Sequence, residues 1–73
     1  MKQDEIIKVL DIKEDCLIRI CKIINIQLKL VRLAKNNHIN FNEFCEKYNE
    51  LERLKNRLIV IKNECTEFLK EYS

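Results

Sequence analysis

The sequence predicts an all-α fold: an antiparallel two-helix hairpin of long helices that dimerises into a four-helix bundle. Apolar residues recur three and four positions apart along both halves of the chain, which places them on one side of a helix. The 73 residues include no Gly and no Pro, so the usual residues of tight turns and the usual helix breakers are missing. We therefore expect one domain, residues 1–73, with helices at about 4–35 and 41–71 and a turn at 36–40.

Helix one carries a wide apolar surface, centred on residues 16–34. Two adjacent ladders of apolar residues follow helical spacing. The first ladder comprises Ile7, Leu10, Leu17, Cys21, Ile24, Leu28 and Val31, and the second comprises Val9, Ile12, Cys16, Ile20, Ile23, Leu30 and Ala34. Because neighbouring ladders lie about 100° apart, together they cover about half of the helix circumference. A helix with this surface needs partners on more than one side.

A break in helix one near Asp11 is the alternative. Asp11 and Glu14 have the spacing of a capping box, and a helix start there would turn the hairpin into a three-helix chain. One continuous helix is favoured, because Ile6, Leu10 and Leu17 keep the same phase across this position.

The turn and the start of helix two are marked by asparagine. Asn tolerates the left-handed conformation that ends many helices, and Asn40 followed by Glu43 predicts an N-cap. The apolar ladder of helix two is Phe41, Phe44, Tyr48, Leu51, Leu54, Leu58, Ile61, Cys65, Phe68 and Tyr72. From Leu51 onward its steps alternate between three and four, as in a heptad repeat. We expect the aromatic residues near the turn to close that end of the hairpin.

The charges favour an antiparallel arrangement. Residues 16–35 hold five cations and no acid, whereas residues 41–52 carry a net charge of −3. Folding back at the turn places the acidic segment beside the basic one. Each exposed pair contributes only a few tenths of a kcal/mol, so the pattern selects an orientation more than it stabilises the fold.

A single hairpin leaves much of the apolar surface of helix one uncovered, and a homodimer would bury it. The alternative is that this surface is reserved for another protein. The residues that we expect in the core or the dimer contact are Leu10, Leu17, Ile20, Ile24, Leu28, Val31, Leu51, Leu54, Leu58 and Ile61.

The outer face of helix one combines cations with stray apolar residues and is the candidate partner-binding surface. Its residues are Ile18, Arg19, Lys22, Ile26, Lys29, Arg32 and Leu33. Four cations in this stretch argue against a membrane span. A phosphate backbone is an alternative ligand, but the net charge of only +2 and the absence of interleaved aromatic residues favour a protein partner.

No cofactor, metal site or catalytic centre is predicted. The cysteines, Cys16, Cys21, Cys45 and Cys65, lack the close pairing of zinc ligands and are expected to be small buried residues in a reducing cytoplasm. A Cys16–Cys65 disulfide is the alternative. His38 is expected to be a solvated turn residue, and a chain without Gly cannot form the usual phosphate-binding loop.

Two resemblances bear on function. The two-helix layout is loosely similar to the small hairpin phosphatases of sporulation, which carry an S-Q-E-L-D motif on their second helix, but the nearest stretch here, CTEFLK at 65–70, lacks the Ser-Gln and the Asp. In size and composition the chain is similar to short phage-encoded inhibitors of host or defence proteins, including anti-CRISPR proteins. We therefore expect a small, cytoplasmic, non-enzymatic regulatory or inhibitory protein of the kind encoded by phages or mobile elements, which acts through protein–protein contacts. The alternative is a nucleic-acid-binding helical dimer that uses the basic strip of helix one.

Overall fold

The computed structural model describes residues 2–72, which form two helices, α1 (Lys2–Lys35) and α2 (Phe41–Lys70). The helices pack side by side in a rod of 54 × 15 × 14 Å. A 34-residue helix is about 51 Å long, so the two helices run alongside each other for nearly the whole rod. The all-α hairpin predicted from the sequence is confirmed. Because α1 continues through Asp11, the three-helix alternative is wrong.

The turn ends α1 with a left-handed asparagine. Asn37 has a φ of 59°, which Asn adopts at lower cost than most residues. The backbone N–H of His38 donates to the carbonyl of Leu33 at 2.9 Å, and that of Asn37 donates to the carbonyl of Ala34 at 3.2 Å. These two bonds form a Schellman motif, which satisfies carbonyl groups that the helix leaves unpaired. Asn37 therefore occupies the position that Gly takes in most Schellman motifs.

Asn40 caps the start of α2. Its backbone is extended, with φ −77° and ψ 160°, and its side-chain Oδ1 accepts a hydrogen bond of 2.7 Å from the backbone N–H of Glu43. The cap satisfies one of the free donors of the first turn. The predicted N-cap is therefore confirmed.

The side of α1 that faces α2 repeats in steps of three and four. Its buried and half-buried positions are Ile6, Val9, Lys13, Cys16, Ile20, Ile23, Gln27, Leu30 and Ala34. This contact stripe coincides with the second ladder predicted for helix one, except that Ile12 is exposed and polar residues occupy positions 13 and 27. Gln27 is buried, and its Nε2 donates to Oε1 of Glu52 at 3.2 Å across the hairpin.

The contact stripe of α2 includes two lysines. Its buried and half-buried positions are Phe44, Tyr48, Leu51, Lys55, Leu58, Lys62, Cys65 and Leu69. Lys55 and Lys62 lie between apolar neighbours because a lysine stem can cover apolar surface while its ammonium group stays in water. Leu54 and Ile61, which belong to the predicted apolar ladder, are 45% and 41% exposed at the edge of the contact.

The aromatic residues near the turn do not close the hairpin as a group. Phe41 is 73% exposed, so the expectation that it would plug this end is wrong. Phe44 and Tyr48 are half-buried, and their ring centroids are 5.4 Å apart. The reason is position: Phe41 is the first residue of α2, and the contact stripe begins one turn later at Phe44.

The charged side chains bond mainly within each helix. Arg19 pairs with Asp15 at 2.9 Å and Lys47 pairs with Glu43 at 3.2 Å, both four residues apart on one helix. Glu52 accepts hydrogen bonds from Lys55 and from Gln27, and these bonds lower the pKa of the Glu52 carboxyl. The ion pairs named here therefore join residues of the same helix and do not link the two helices.

The hairpin core is thin. Within residues 3–72 the buried apolar side chains are Cys16, Leu30 and Cys65, whereas fourteen large apolar side chains are exposed. A chain this short is marginally stable even when its apolar residues are well buried. The hairpin alone therefore buries little apolar surface.

We predict that Asn40→Ala lowers the free energy of unfolding by about 1 kcal/mol, because the Glu43 N–H loses its acceptor. Chemical denaturation followed by circular dichroism measures this change. Asn42→Ala, at an exposed position within the first turn of α2, is the matched control and should change stability by less than about 0.5 kcal/mol. Equal losses in the two variants would show that the cap contributes nothing.

Candidate functional site: two open faces of the hairpin

The first candidate surface is a second apolar stripe on α1, which we call the open seam. It consists of Ile7, Leu10, Leu17, Cys21, Ile24, Leu28 and Val31. Its members are exposed except for Val31, which is half-buried, and Ile7 and Leu28 are about half exposed at 52% and 51%. With Glu14 and Lys35 included, the seam repeats in unbroken steps of three and four, which is the spacing of a helix–helix contact.

The open seam and the contact stripe are offset by one residue, so they point about 100° apart around α1. In a four-helix bundle each helix packs against two neighbours, and the directions from its axis to those two neighbours are roughly at a right angle. The contact stripe already faces α2. The open seam therefore faces the direction in which a second neighbouring helix would lie.

The second helix is polar on the side of the open seam. In an antiparallel pair, positions one residue after each contact stripe lie on the same side of the hairpin. On α2 these positions are Cys45, Asn49, Glu52, Asn56, Ile59, Asn63 and Thr66. The apolar surface of this side is thus carried almost entirely by α1.

The second candidate surface is a groove on the opposite side of the hairpin. A cavity of about 390 Å³ lies between the helices there, lined by Arg19, Lys22 and Ile23 of α1 and by Leu54, Arg57 and Leu58 of α2. A neighbouring cavity extends towards the turn, and both Ile26 and Leu54 line it. We call the groove the set Arg19, Lys22, Ile23, Ile26, Leu54, Arg57 and Leu58.

The middle of the groove is apolar at its base and basic at its rims. Ile23 and Leu58 are half-buried, and the six residues of the middle cavity include three cations and no carboxylate. One of the cations, Arg19, is paired with Asp15, one turn earlier on α1. Towards the turn the lining becomes mixed, because Glu50 and Lys47 both contribute.

The structure divides the residues predicted to bind a partner between two places. Arg19, Lys22 and Ile26 line the groove. Ile18, Lys29 and Arg32 are exposed on the outer face of α1, and Leu33 is exposed near the turn.

The residues predicted for the core or dimer contact are also divided. Ile20, Leu51 and Leu58 are half-buried in the hairpin contact. Half-buried Val31 and the exposed residues Leu10, Leu17, Ile24 and Leu28 lie on the open seam, while Leu54 and Ile61 are exposed on the groove side. Their part in a dimer stays a prediction.

Sequence reasoning missed Arg57 and the pairing of Gln27 with Glu52. Arg57 lies three residues after Leu54 and therefore on the same side of α2. Folding back at 36–40 places residue 57 beside Ile23. The position of the turn therefore sets the register of the two helices, from which the place of Arg57 could have been predicted. Gln27 fills the gap between Ile23 and Leu30 in the second ladder, which marks it as a residue facing α2.

The four cysteines are free thiols, so the Cys16–Cys65 disulfide is not formed. Cys16 and Cys65 are buried, as expected, but Cys21 is exposed on the open seam. Residues 2–72 contain no cluster of three or more His, Cys, Asp or Glu side chains placed to hold a metal ion. Within the same range, neither helix contains an apolar run long enough to cross a membrane.

Comparison of the chain with protein-family models, with curated proteins and with solved structures gives no significant match.

Proposed function

We propose that this is a small, non-enzymatic regulatory or inhibitory protein that acts in the cytoplasm by occupying the surface of another protein, and that its working form is a homodimer. Phage or mobile-element proteins directed against host defence are the class that it fits best. The observation that carries the proposal is the open seam, a heptad-spaced apolar stripe that the hairpin leaves in solvent. A free thiol at Cys21 on this exposed stripe fits a reducing compartment.

A second copy of the chain is the partner that suits the open seam. From Ile7 to Val31 the seam extends for about 36 Å and includes one charged position, Glu14. Covering each half-exposed Leu or Ile contributes roughly 0.7–1.5 kcal/mol, half of the value for full burial. Five such side chains on each of two copies give a gross term of the order of 10 kcal/mol, which is comparable with the cost of association.

The charges at the ends of the open seam favour antiparallel packing of the two α1 helices. Glu14 lies in the N-terminal part of the seam and Lys35 at its C-terminal end. A two-fold axis across the seam brings the Glu14 end of one copy towards the Lys35 end of the other. Each hairpin then supplies two helices of a four-helix bundle, and the groove stays free on the far side.

The outer face of α1 and the groove then form the surface that meets a partner protein. Lys22, Lys29 and Arg32 are exposed there together with Ile18 and Ile26. Cations mixed with apolar residues suit a protein surface, because the apolar side chains contribute burial and the charges contribute orientation.

The nucleic-acid-binding dimer is the second candidate, favoured by the row of exposed cations on α1. A protein that neutralises phosphates binds with an affinity that falls steeply as salt increases. Titration of labelled duplex and single-stranded DNA and RNA, at two salt concentrations, separates the candidates. A flat titration removes this second function.

We predict that Leu17→Lys disrupts the dimer, whereas Ile18→Lys, at a similarly exposed neighbouring position, leaves it intact. Leu17 lies on the open seam and Ile18 on the outer face. A lysine at position 17 places a charge in the apolar contact between the two copies, so the dissociation constant of the dimer should rise at least tenfold. Sedimentation equilibrium under reducing conditions measures it. Equal behaviour of the two variants would contradict the assignment of the seam.

We predict that the double variant Lys29→Glu, Arg32→Glu captures its partner from a cell lysate about tenfold more weakly, since two favourable interface charges become unfavourable. Its circular dichroism should match the wild type, because both side chains are exposed. The matched control is Lys8→Glu, an exposed charge reversal near the start of α1. Unaltered capture by the double variant would exclude this face as the binding surface.

A further inference from the structure

The residues along the groove have the spacing expected of a binding site for a third helix. On each helix, one row of residues along the groove recurs every seven positions. The two rows are Ile12, Arg19, Ile26 and Leu33 on α1 and Lys47, Leu54, Ile61 and Phe68 on α2. Rows of this spacing beside a helix–helix contact are the positions at which a further helix packs in a bundle.

The register places the two rows opposite each other. Ile26 and Leu54 line the same cavity, which sets Arg19 opposite Ile61 one heptad away and Ile12 opposite Phe68 two heptads away. The row from Ile12 to Leu33 extends for about 32 Å, which suits a helix of roughly 20 residues. Ile12, Leu33 and Ile61 are exposed, so the apolar character continues beyond the two cavities.

We infer that the groove binds an amphipathic helix of another protein, with acidic residues flanking its apolar stripe. This inference rests on the proposed function and names the class of partner. The apolar residues of the middle cavity, Ile23, Leu54 and Leu58, receive the apolar stripe, as in other helix-in-groove contacts. The rim cations Lys22 and Arg57 pair with carboxylates, and the guanidinium of Arg57 can do so in a bidentate manner.

The charges select this occupant over the other two. A second copy that set the middle of its own groove against this one would bring like charges together, because the middle cavity has cations on both rims and no carboxylate. A nucleic acid would satisfy those cations but would leave the apolar base uncovered. An acidic amphipathic helix satisfies both features. The groove also lies on the side of the hairpin opposite the open seam, so self-association leaves it accessible.

The experiment is a selection from a displayed library of 21-residue peptides with a helix-favouring background and randomised surface positions. The full chain is the target, and the Lys22→Glu, Arg57→Glu double variant is a parallel target. We expect the wild-type selection to enrich peptides with apolar residues at helical spacing flanked by Asp or Glu. Enrichment of basic peptides, or no enrichment above background, would overturn the inference.

The strongest enriched peptide is then synthesised, and its affinity is measured by fluorescence anisotropy. We expect at least tenfold weaker binding to the double variant and to Leu54→Asp. The controls Lys8→Glu and Val60→Asp, both exposed and outside the groove, should bind as the wild type does. Binding that depends on Lys22 and Arg57 but not on Leu54 would indicate a surface that attracts anions by charge alone, and it would also overturn the inference. Ile26→Asp gives a second apolar variant if Leu54→Asp does not fold.

Failure of this inference is separable from failure of the proposed function. A protein captured from lysate that the enriched peptide does not displace would overturn the groove as the site while leaving the proposed function in place. Peptide binding to the groove, with no protein captured from lysate by the wild-type chain, would overturn the proposed function and leave the groove as a binding site.

Discussion

The structure depends on one constraint: α1 carries two apolar stripes, the contact stripe and the open seam, and within residues 2–72 there is one other helix, α2, to cover them. The contact stripe packs against α2, while the open seam is left in solvent about 100° away. Within residues 3–72 the buried apolar side chains are Cys16, Leu30 and Cys65, and the five large apolar side chains exposed on the open seam are a source of stabilisation that one hairpin does not use. The proposed dimer, the free groove and the outer basic face all follow from how that seam is covered.

Much of the fold could be predicted from the sequence because the local signals agree with each other. The two helices appear in the apolar periodicity, and the turn appears in the asparagines: Asn37 takes the left-handed conformation and Asn40 caps α2. With no Gly or Pro in the chain, few other positions could end a helix. The unbroken phase of Ile6, Leu10 and Leu17 favoured continuity of α1 through Asp11, which the structure shows.

The side of each helix that contacts the other helix could not be predicted as well. Both ladders of α1 are about equally apolar, so periodicity alone does not say which of them contacts α2. On α2, the apolar pattern pointed to Leu54 and Ile61, whereas the contact includes the stems of Lys55 and Lys62. A residue scale treats lysine as wholly polar, although its stem is apolar. The groove was missed for a related reason: its rims come from two helices, and Arg57 gains meaning only once the register is known.

The measurement that tests the central claim most directly is small-angle X-ray scattering of the wild-type protein, under reducing conditions and across a concentration series. The account predicts a particle of twice the 8.9 kDa chain mass with nearly the 54 Å length of one hairpin and a thicker cross-section, because the hairpins pack side by side along the open seam. A particle of 8.9 kDa with the cross-section of one hairpin at every concentration, folded by circular dichroism, would contradict it. The hairpin would then be stable with the apolar side chains of the open seam not covered by a second copy.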